Sequence, residues 1–348
     1  MPKIRLMVID DSIFFRTFMT QRLGADPSFE IVGSFGDPVD AMGRIDTLRP
    51  DVIAVDMEMP KMRGSEFLRA VLPKHPNVKA VVISALSGNV FDAMQAGAID
   101  FIGKPSSNQN FNQEQFIQEI SQKIKVAATA HVRSSTHAVL KPTAQIKTPP
   151  PMLRITRATP KSLIAIGAST GGTEAIIEVI KRFPANTPGV VIVQHMPPVF
   201  TRMYAERADK ICAMSVHEAQ NGDRVKQGIM LIAPGGDHQM SLHQDAAGYY
   251  VTLTPGPKVS GHCPSVDVLF DSVAKTAGRN AVGVILTGMG ADGAKGLTDM
   301  KKAGAHTIGQ DEESCVVYGM PMVAYNMGGV SEQLPLASIG DAVLRRFS

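Results

Sequence analysis

The sequence predicts an α/β protein of two doubly wound parallel-sheet domains, the second carrying a small antiparallel hairpin insertion. Three observations carry that reading. Runs of Val and Ile, apolar at nearly every position, alternate with amphipathic segments in both halves of the chain. A stretch rich in Ala, Thr and Pro, without sustained period, separates the halves. The length, 348 residues, exceeds what one hydrophobic core ordinarily serves. Strands that are apolar throughout are buried on both faces, and a parallel sheet sandwiched between helices buries them in that way.

The first region, residues 1–126, offers five such strands: "IRLMVI" (4–9), "FEIVGSF" (29–35), "DVIAVD" (51–56), "VKAVVISA" (78–85) and "IDFIGK" (99–104). Periodic segments such as "SIFFRTFMTQRLG" and "GSEFLRAVLPK" lie between them and supply the covering helices. The helical pattern "NQEQFIQEISQKIKVAA" closes the region and continues into residues 127–160, a linker that "KTPPP" (147–151) keeps partly extended. The second region, 161–348, has strands of the buried kind at "SLIAIG" (162–167), "GVVIVQH" (189–195) and "AVGVILTG" (281–288). The segment "IMLIAPGGDHQMSLHQDAAGYYVTLTP", from residue 229 on, reads as short antiparallel strands joined by Gly turns.

Charge and cysteines exclude several function classes. The net charge is +3, and eight Lys or Arg with no Asp or Glu fall within residues 121–161. A basic excess confined to a linker reads as solvated charge, not as a nucleic-acid face, and no helix-turn-helix with a basic recognition helix is present. Cys212, Cys263 and Cys315 are odd in number and far apart, which fits a reducing cytosol without a disulfide framework. The opening "MPKIRLMVIDDS" reads as a first strand closed by acids, not a signal peptide, and no apolar run has membrane-spanning length. A cytoplasmic protein without direct membrane insertion is expected.

The first region carries an acidic pocket. Asp10 and Asp11 follow the first strand, and Asp56 ends the third. In a doubly wound sheet these ends lie side by side, so three carboxylates converge and repel one another. Oxygen-only ligands of that charge suit Mg²⁺. Ser84 ends the fourth strand and Lys104 follows the fifth at the same edge, which adds a hydroxyl and an ammonium for an incoming phosphoryl group. Each residue taken singly is a helix cap or a solvated acid; the five together at matching strand ends are far more specific.

The second region turns on one serine. In "LIAIGASTGGTEAI", Ser169 sits at a Gly-rich strand-to-helix turn. The turn lacks the P-loop Lys and a full G-x-G-x-x-G, so a phosphate cradle is weakly supported. A nucleophilic serine needs a base and a group to orient it. His195 ends the next strand, and Asp292 lies in "LTGMGADGAKG" after another. Their order along the chain, Ser, His, Asp, is not that of the standard hydrolase, but geometry defines a triad. By spacing alone a triad and a ligand-binding Gly-rich site both stand.

The acidic constellation resembles the receiver domain of two-component response regulators over residues 1–126. The resemblance implies a flavodoxin-like fold, Asp56 as phosphoacceptor, and Mg²⁺ held by Asp10, Asp11, Asp56 and the backbone carbonyl of Glu58. It also implies that Ser84 and Lys104 contact the phosphoryl group. Beyond it, "IGASTGG", "VQHM", "APGGDHQM", "HCPSVDVLF", "LTGMGADGA" and "DEESCVVYGMP" come in the order of the chemotaxis protein-glutamate methylesterases, and the resemblance covers nearly the whole chain. It implies a Rossmann-like catalytic domain that hydrolyses glutamate γ-methyl esters and deamidates certain glutamines on methyl-accepting chemoreceptors. A chemotaxis histidine kinase would donate the phosphoryl group, and at rest the receiver would cover the cleft. Carried over, Ser169 is nucleophile, His195 base and Asp292 orienting acid, with the N–H groups of Met289 and Thr170 for the oxyanion and no cofactor for the ester chemistry. The rival is a response regulator whose second domain binds a nucleotide or protein without catalysis. Three departures stand out: Arg63 in place of the family's Asp, Cys263 in place of an Arg, and a shortened fourth receiver helix after Ser84.

Overall fold

The computed structural model describes residues 2–85, 90–105, 112–130 and 155–348. Contacts divide the chain into two units, with the division between residues 144 and 145.

The first unit is a five-stranded sheet of β1 (Ile4–Ile9), β2 (Phe29–Phe35), β3 (Val52–Asp56), β4 (Lys79–Ser84) and β5 (Asp100–Gly103). All pairs are parallel and the order is β2-β1-β3-β4-β5. Val52, Ile53, Ala54 and Val55 are fully buried, as continuous apolar runs require. The helices are α1 (Ile13–Gly24), α2 (Pro38–Met42), α3 (Ile45–Leu48), α4 (Gly64–Val71), α5 (Val90–Gln95) and α6 (Gln113–Thr129). Ser12 caps α1, its side chain accepting from the N–H of Phe15. The direction of winding reverses between β1 and β3, so the carboxyl ends of those strands flank the crevice where doubly wound sheets bind ligands. Six residues of α5 are described, and residues 86–89 before it, on which the expectation of a shortened fourth helix turns, lie outside the described residues.

One charge expectation is corrected. Lys123 and Lys125 are not solvated linker charges: both lie on α6, where Lys123 pairs with Asp100 (2.9 Å) and Lys125 with Asp26 (2.7 Å). Most of the rest of the expected linker, residues 131–154, lies outside the described residues.

The second unit is built on a seven-stranded, wholly parallel sheet. Its strands are β6 (Leu163–Ala168), β7 (Gly189–Gln194), β8 (Ser215–Glu218), β10 (Ile229–Ile232), β13 (Ala281–Ile285), β14 (His306–Gln310) and β15 (Glu332–Leu334), in the order β15-β14-β13-β6-β7-β10-β8. A separate antiparallel sheet joins β9 (Arg224–Val225), β11 (His238–Asp245) and β12 (Gly248–Pro255). The expectation that the whole stretch from 229 is antiparallel is therefore corrected: "IMLI" pairs in parallel with β7 and β8, and the hairpin starts at His238.

Helices α7 (Gly172–Ile180), α8 (Phe200–Ile211), α9 (Val266–Thr276), α10 (Ala294–Lys302), α11 (Met320–Asn326) and α12 (Leu336–Arg345) complete the unit. The hairpin does not float: Met240, Leu242 and Val251 share one buried cluster with Leu269, Phe270 and Val273 of α9. Each side chain so buried contributes about 2 kcal/mol before entropy is counted. Winding reverses between β6 and β13, so this sheet has its own crevice there. Among the described residues no helix is long and apolar enough to cross a membrane.

Candidate active site

The carboxyl ends of β1 and β3 bring Asp10, Asp11 and Asp56 together, with carboxylate oxygens within 4.8 Å of one another. Asp10 is wholly buried and Asp56 nearly so. Burial raises the Asp10 carboxyl above its ordinary value, helped by the Asp56 charge and opposed by Lys104. Burial likewise raises Asp56 against the pull of Lys104. Lys104 Nζ bridges the two, 2.8 Å from Asp10 and 2.7 Å from Asp56. Burial works against its charge, but the two hydrogen bonds outweigh that and hold its pKa above the ordinary value. Otherwise Asp56 accepts one long bond, 3.4 Å from the N–H of Glu58. Three converging acids against one ammonium leave excess negative charge on an oxygen-only donor set, which fits a hard divalent cation. Ser84 is buried and its hydroxyl donates to the Ala85 carbonyl at 2.7 Å.

Arg63 stands at the N-cap of α4, where its side chain makes no capping hydrogen bond; its N–H donates to Glu66 at 3.0 Å and its carbonyl accepts from Phe67 N–H at 3.0 Å. Gly64 beside it is obligatory, because a Cβ there would lie 2.4 Å from the Asp56 carbonyl oxygen. The departure at Arg63 thus weakens a helix start and leaves the carboxylate pocket intact.

In the second unit β6 ends at Ala168, and the turn into α7 carries Ser169, half-buried. Gly171 takes φ of +75°, the left-handed region that glycine tolerates. A Cβ at Gly288 would come within 2.7 Å of the Ser169 Cβ, so the segment after β13 presses directly on the serine. Met289 follows that contact and is part-exposed. Thr287 fastens the same segment: its hydroxyl donates to the Thr170 carbonyl at 3.0 Å, and its N–H donates to Gln310 at 2.8 Å.

His195 follows β7, one strand over. Its Nε2 lies 2.8 Å from Asp292 Oδ2, while Nδ1 is buried and has no hydrogen-bond partner. The carboxylate is an acceptor, so Nε2 carries the proton and Nδ1 has the free lone pair. Ser169 Oγ makes no hydrogen bond among the described residues. The His262 ring stacks on His195, 3.7 Å between centroids and 7° from parallel, covering one face of the base.

Asp292 is heavily supported. Besides His195 it accepts from Ser265 Oγ (2.7 Å), Val266 N (2.8 Å) and Asp267 N (3.0 Å), the first N–H groups of α9. Burial pushes its pKa up, but the bond and charge of His195 and the bonds from α9 outweigh that and hold it below the ordinary value. A helix N-terminus stabilises a carboxylate through its unpaired N–H groups and its dipole. Within "HCPSVDVLF", Ser265 is both the cap of α9 and a donor to Asp292. A Ser followed by an apolar, helical run was the available signal.

The structure therefore brings Ser169, His195 and Asp292 to one sheet edge, with Thr170 and Met289 flanking the serine. Cys263, next to His262 in the chain, is a poor nucleophile. Burial raises its thiol pKa, and its sulfur is directed at the Gly256 carbonyl, 4.0 Å away. A thiol kept protonated is a poor nucleophile.

Comparison with known proteins finds relatives of both units. The CheB methylesterase family model matches residues 164–343, and the response regulator receiver domain matches residues 6–115. The chain is 52% identical to a protein-glutamate methylesterase/protein-glutamine glutaminase of Syntrophomonas wolfei, over 99% of this chain and 97% of that one. It is 45% identical to the enzyme of that name from Agrobacterium fabrum, over 98% of this chain and 96% of the other. The crystal structure of the Thermotoga maritima CheB methylesterase catalytic domain aligns with a TM-score of 0.52 at 36% identity, covering 53% of this chain and 98% of that domain. With the receiver pocket in one unit and the serine turn in the other, the chain belongs to the protein-glutamate methylesterase/protein-glutamine glutaminase family.

Proposed function

We propose that this methylesterase acts on methyl-accepting chemoreceptors through a Ser169–His195–Asp292 triad and is activated by phosphorylation of Asp56. One observation carries the reading: His195 binds the ionised Asp292 through Nε2 and keeps a buried, unpartnered Nδ1 at the edge where Ser169 sits. That nitrogen is the base. Ser169 Oγ attacks the γ-ester carbonyl and gives its proton to Nδ1, and the oxyanion is met by the N–H groups of Met289 and Thr170. Each well-placed donor of this kind lowers the barrier by about 3 kcal/mol. The imidazolium gives the proton to the leaving methoxide oxygen, which departs as methanol, or to the leaving amide nitrogen, which departs as ammonia when the substrate is a glutamine. Water, deprotonated by the same nitrogen, then releases the acyl group as glutamate. Every group the ester step uses is supplied by the chain.

In the receiver, Asp10, Asp11, Asp56 and the Glu58 carbonyl are the groups that would hold Mg²⁺. Bound there, the ion neutralises charge on the phosphoryl oxygens. Asp56 accepts the phosphoryl group from a chemotaxis histidine kinase, and Lys104 and Ser84 contact it. The functional parts are a receiver at 1–126, a linker at 127–160 and a catalytic domain at 161–348; the two family matches, 6–115 and 164–343, fall within the first and last of these. Free thiols at Cys212, Cys263 and Cys315 support work in the cytoplasm.

The test is methanol release from methylated receptor membranes, with and without a small phosphodonor and Mg²⁺. Ser169→Ala should remove the release and Asp56→Ala its stimulation. A Ser169→Ala protein that still releases methanol would end the triad reading.

A further inference from the structure

The β6–β7 ladder reaches its last bond where His195 N–H donates to the Ala168 carbonyl at 3.2 Å. Past that point Ser169 is held from the β13 side, its N–H donating to the Thr287 carbonyl at 3.0 Å, and the β6–β7 ladder no longer ties the nucleophile to the base. Gln194, the final residue of β7, spans them. It is buried, and its side-chain nitrogen donates to the Ser169 carbonyl at 2.9 Å and to the His195 carbonyl at 3.3 Å. Both amide hydrogens are thereby used. The orientation is fixed by chemistry: turned over, the amide would set an oxygen against two carbonyl oxygens.

The other end of the amide explains a glycine. Gln194 Oε1 is buried without a hydrogen-bond partner, and a Cβ on Gly172 would stand 2.1 Å from it. The last glycine of "GASTGG" thus makes room for an amide, not for a phosphate. The buried acceptor left unpaired is a cost that the two donated bonds offset.

We propose that Gln194 is a positioning residue for the esterase: one amide clamps the backbone of the nucleophile to that of the base and so sets their spacing. This rests on the triad reading. Its loss would let two catalytic groups drift, and misplacement of about 1 Å costs roughly a hundredfold in rate.

The test uses the full-length protein, activated by phosphodonor and Mg²⁺. Gln194→Met keeps shape and removes both donors; Gln194→Glu keeps shape and turns a donor into an acceptor. Both should lose kcat, by about tenfold for Met and about a hundredfold for Glu. For Gln194→Met, KM for methylated receptor should stay within about twofold, and the acid limb of the pH profile should not move, because that variant places no charge beside His195. Thermal melting shows whether each variant is folded at the assay temperature; if Glu is not, Met carries the test. A folded Met variant with unchanged kcat overturns the clamp, as does one in which KM rises while kcat holds. Ser169→Ala run beside them separates the two ideas: if it is inactive while the Gln194 variants are fully active, the clamp fails and the triad survives.

Discussion

Asp56 and Asp292 invite comparison because they are so alike in place. Each is an almost fully buried aspartate at the carboxyl edge of a parallel sheet, beside the point where the winding reverses. Their surroundings are opposite. Asp292 accepts four hydrogen bonds of 3.0 Å or less, three of them from the start of α9, and is held below its ordinary pKa. Asp56 has one ammonium, shared with Asp10, and one long backbone bond, and burial raises it. A carboxylate with every lone pair occupied is a fixture that orients its neighbour. One left short of donors is reactive and receptive, able to take a cation and a phosphoryl group. The same acid on the same kind of fold edge becomes a scaffold or a reagent according to how many donors a neighbouring helix start aims at it.

The contrast can be broken from either side, and the largest effect is expected at the satisfied acid. Asp292→Asn sets an amide donor among the donors of α9 and removes the charge that holds His195. The rate of methanol release should fall on the order of 10³-fold. Its pH consequence has a definite sign. The folded carboxyl titrates below the unfolded value of about 4, so its contacts stabilise the protein fully above that pH and fade as acid is added. Denaturant titrations should show the wild type losing stability below about pH 4 more steeply than Asp292→Asn.

At the unsatisfied acid, Lys104→Met removes the ammonium that bridges Asp10 and Asp56. Calorimetry should find Mg²⁺ bound more tightly, because an ammonium no longer competes for the carboxylates. Stimulation by phosphodonor should nonetheless drop roughly tenfold, since a phosphoryl contact is gone. Weaker Mg²⁺ binding would mean that Lys104 organises the acids instead of opposing them.

Ser265→Ala removes one of the four donors and leaves three. Turnover should fall only about tenfold, with stability lower by about 1 kcal/mol from the lost cap of α9. The smallest effect is a gain: Arg63→Asp restores an N-cap oxygen to α4 and should raise receiver stability by about 0.5–1 kcal/mol in thermal melts.

Much of this was legible in the sequence because burial on both faces leaves an unmistakable apolar run. β1, β3, β6 and β7 are of that kind, and the acids and hydroxyls at their ends could be placed from strand order alone. The short strands were not legible. β8 (Ser215–Glu218) and β15 (Glu332–Leu334) are short and polar, so no period marks them, and β10 looks the same whether it pairs parallel or antiparallel. The triad residues stood out as chemistry at turns, whereas their supports did not. Gln194 looks like one more strand residue and Ser265 like one more cap; their roles exist only once β7 meets β6 and α9 meets Asp292. Hydrogen bonds across 25 or 27 positions of chain have no signature in local pattern.

The central claim is that Ser169 carries the acyl group, and partitioning with hydroxylamine tests it most directly. If ester and glutamine side chains of the receptor pass through one acyl-enzyme, hydroxylamine should intercept it and give glutamyl hydroxamate and glutamate in the same ratio from both substrates. Ser169→Ala should give neither product. Ratios that differ between ester and amide, or hydroxamate formed without Ser169, would contradict the account.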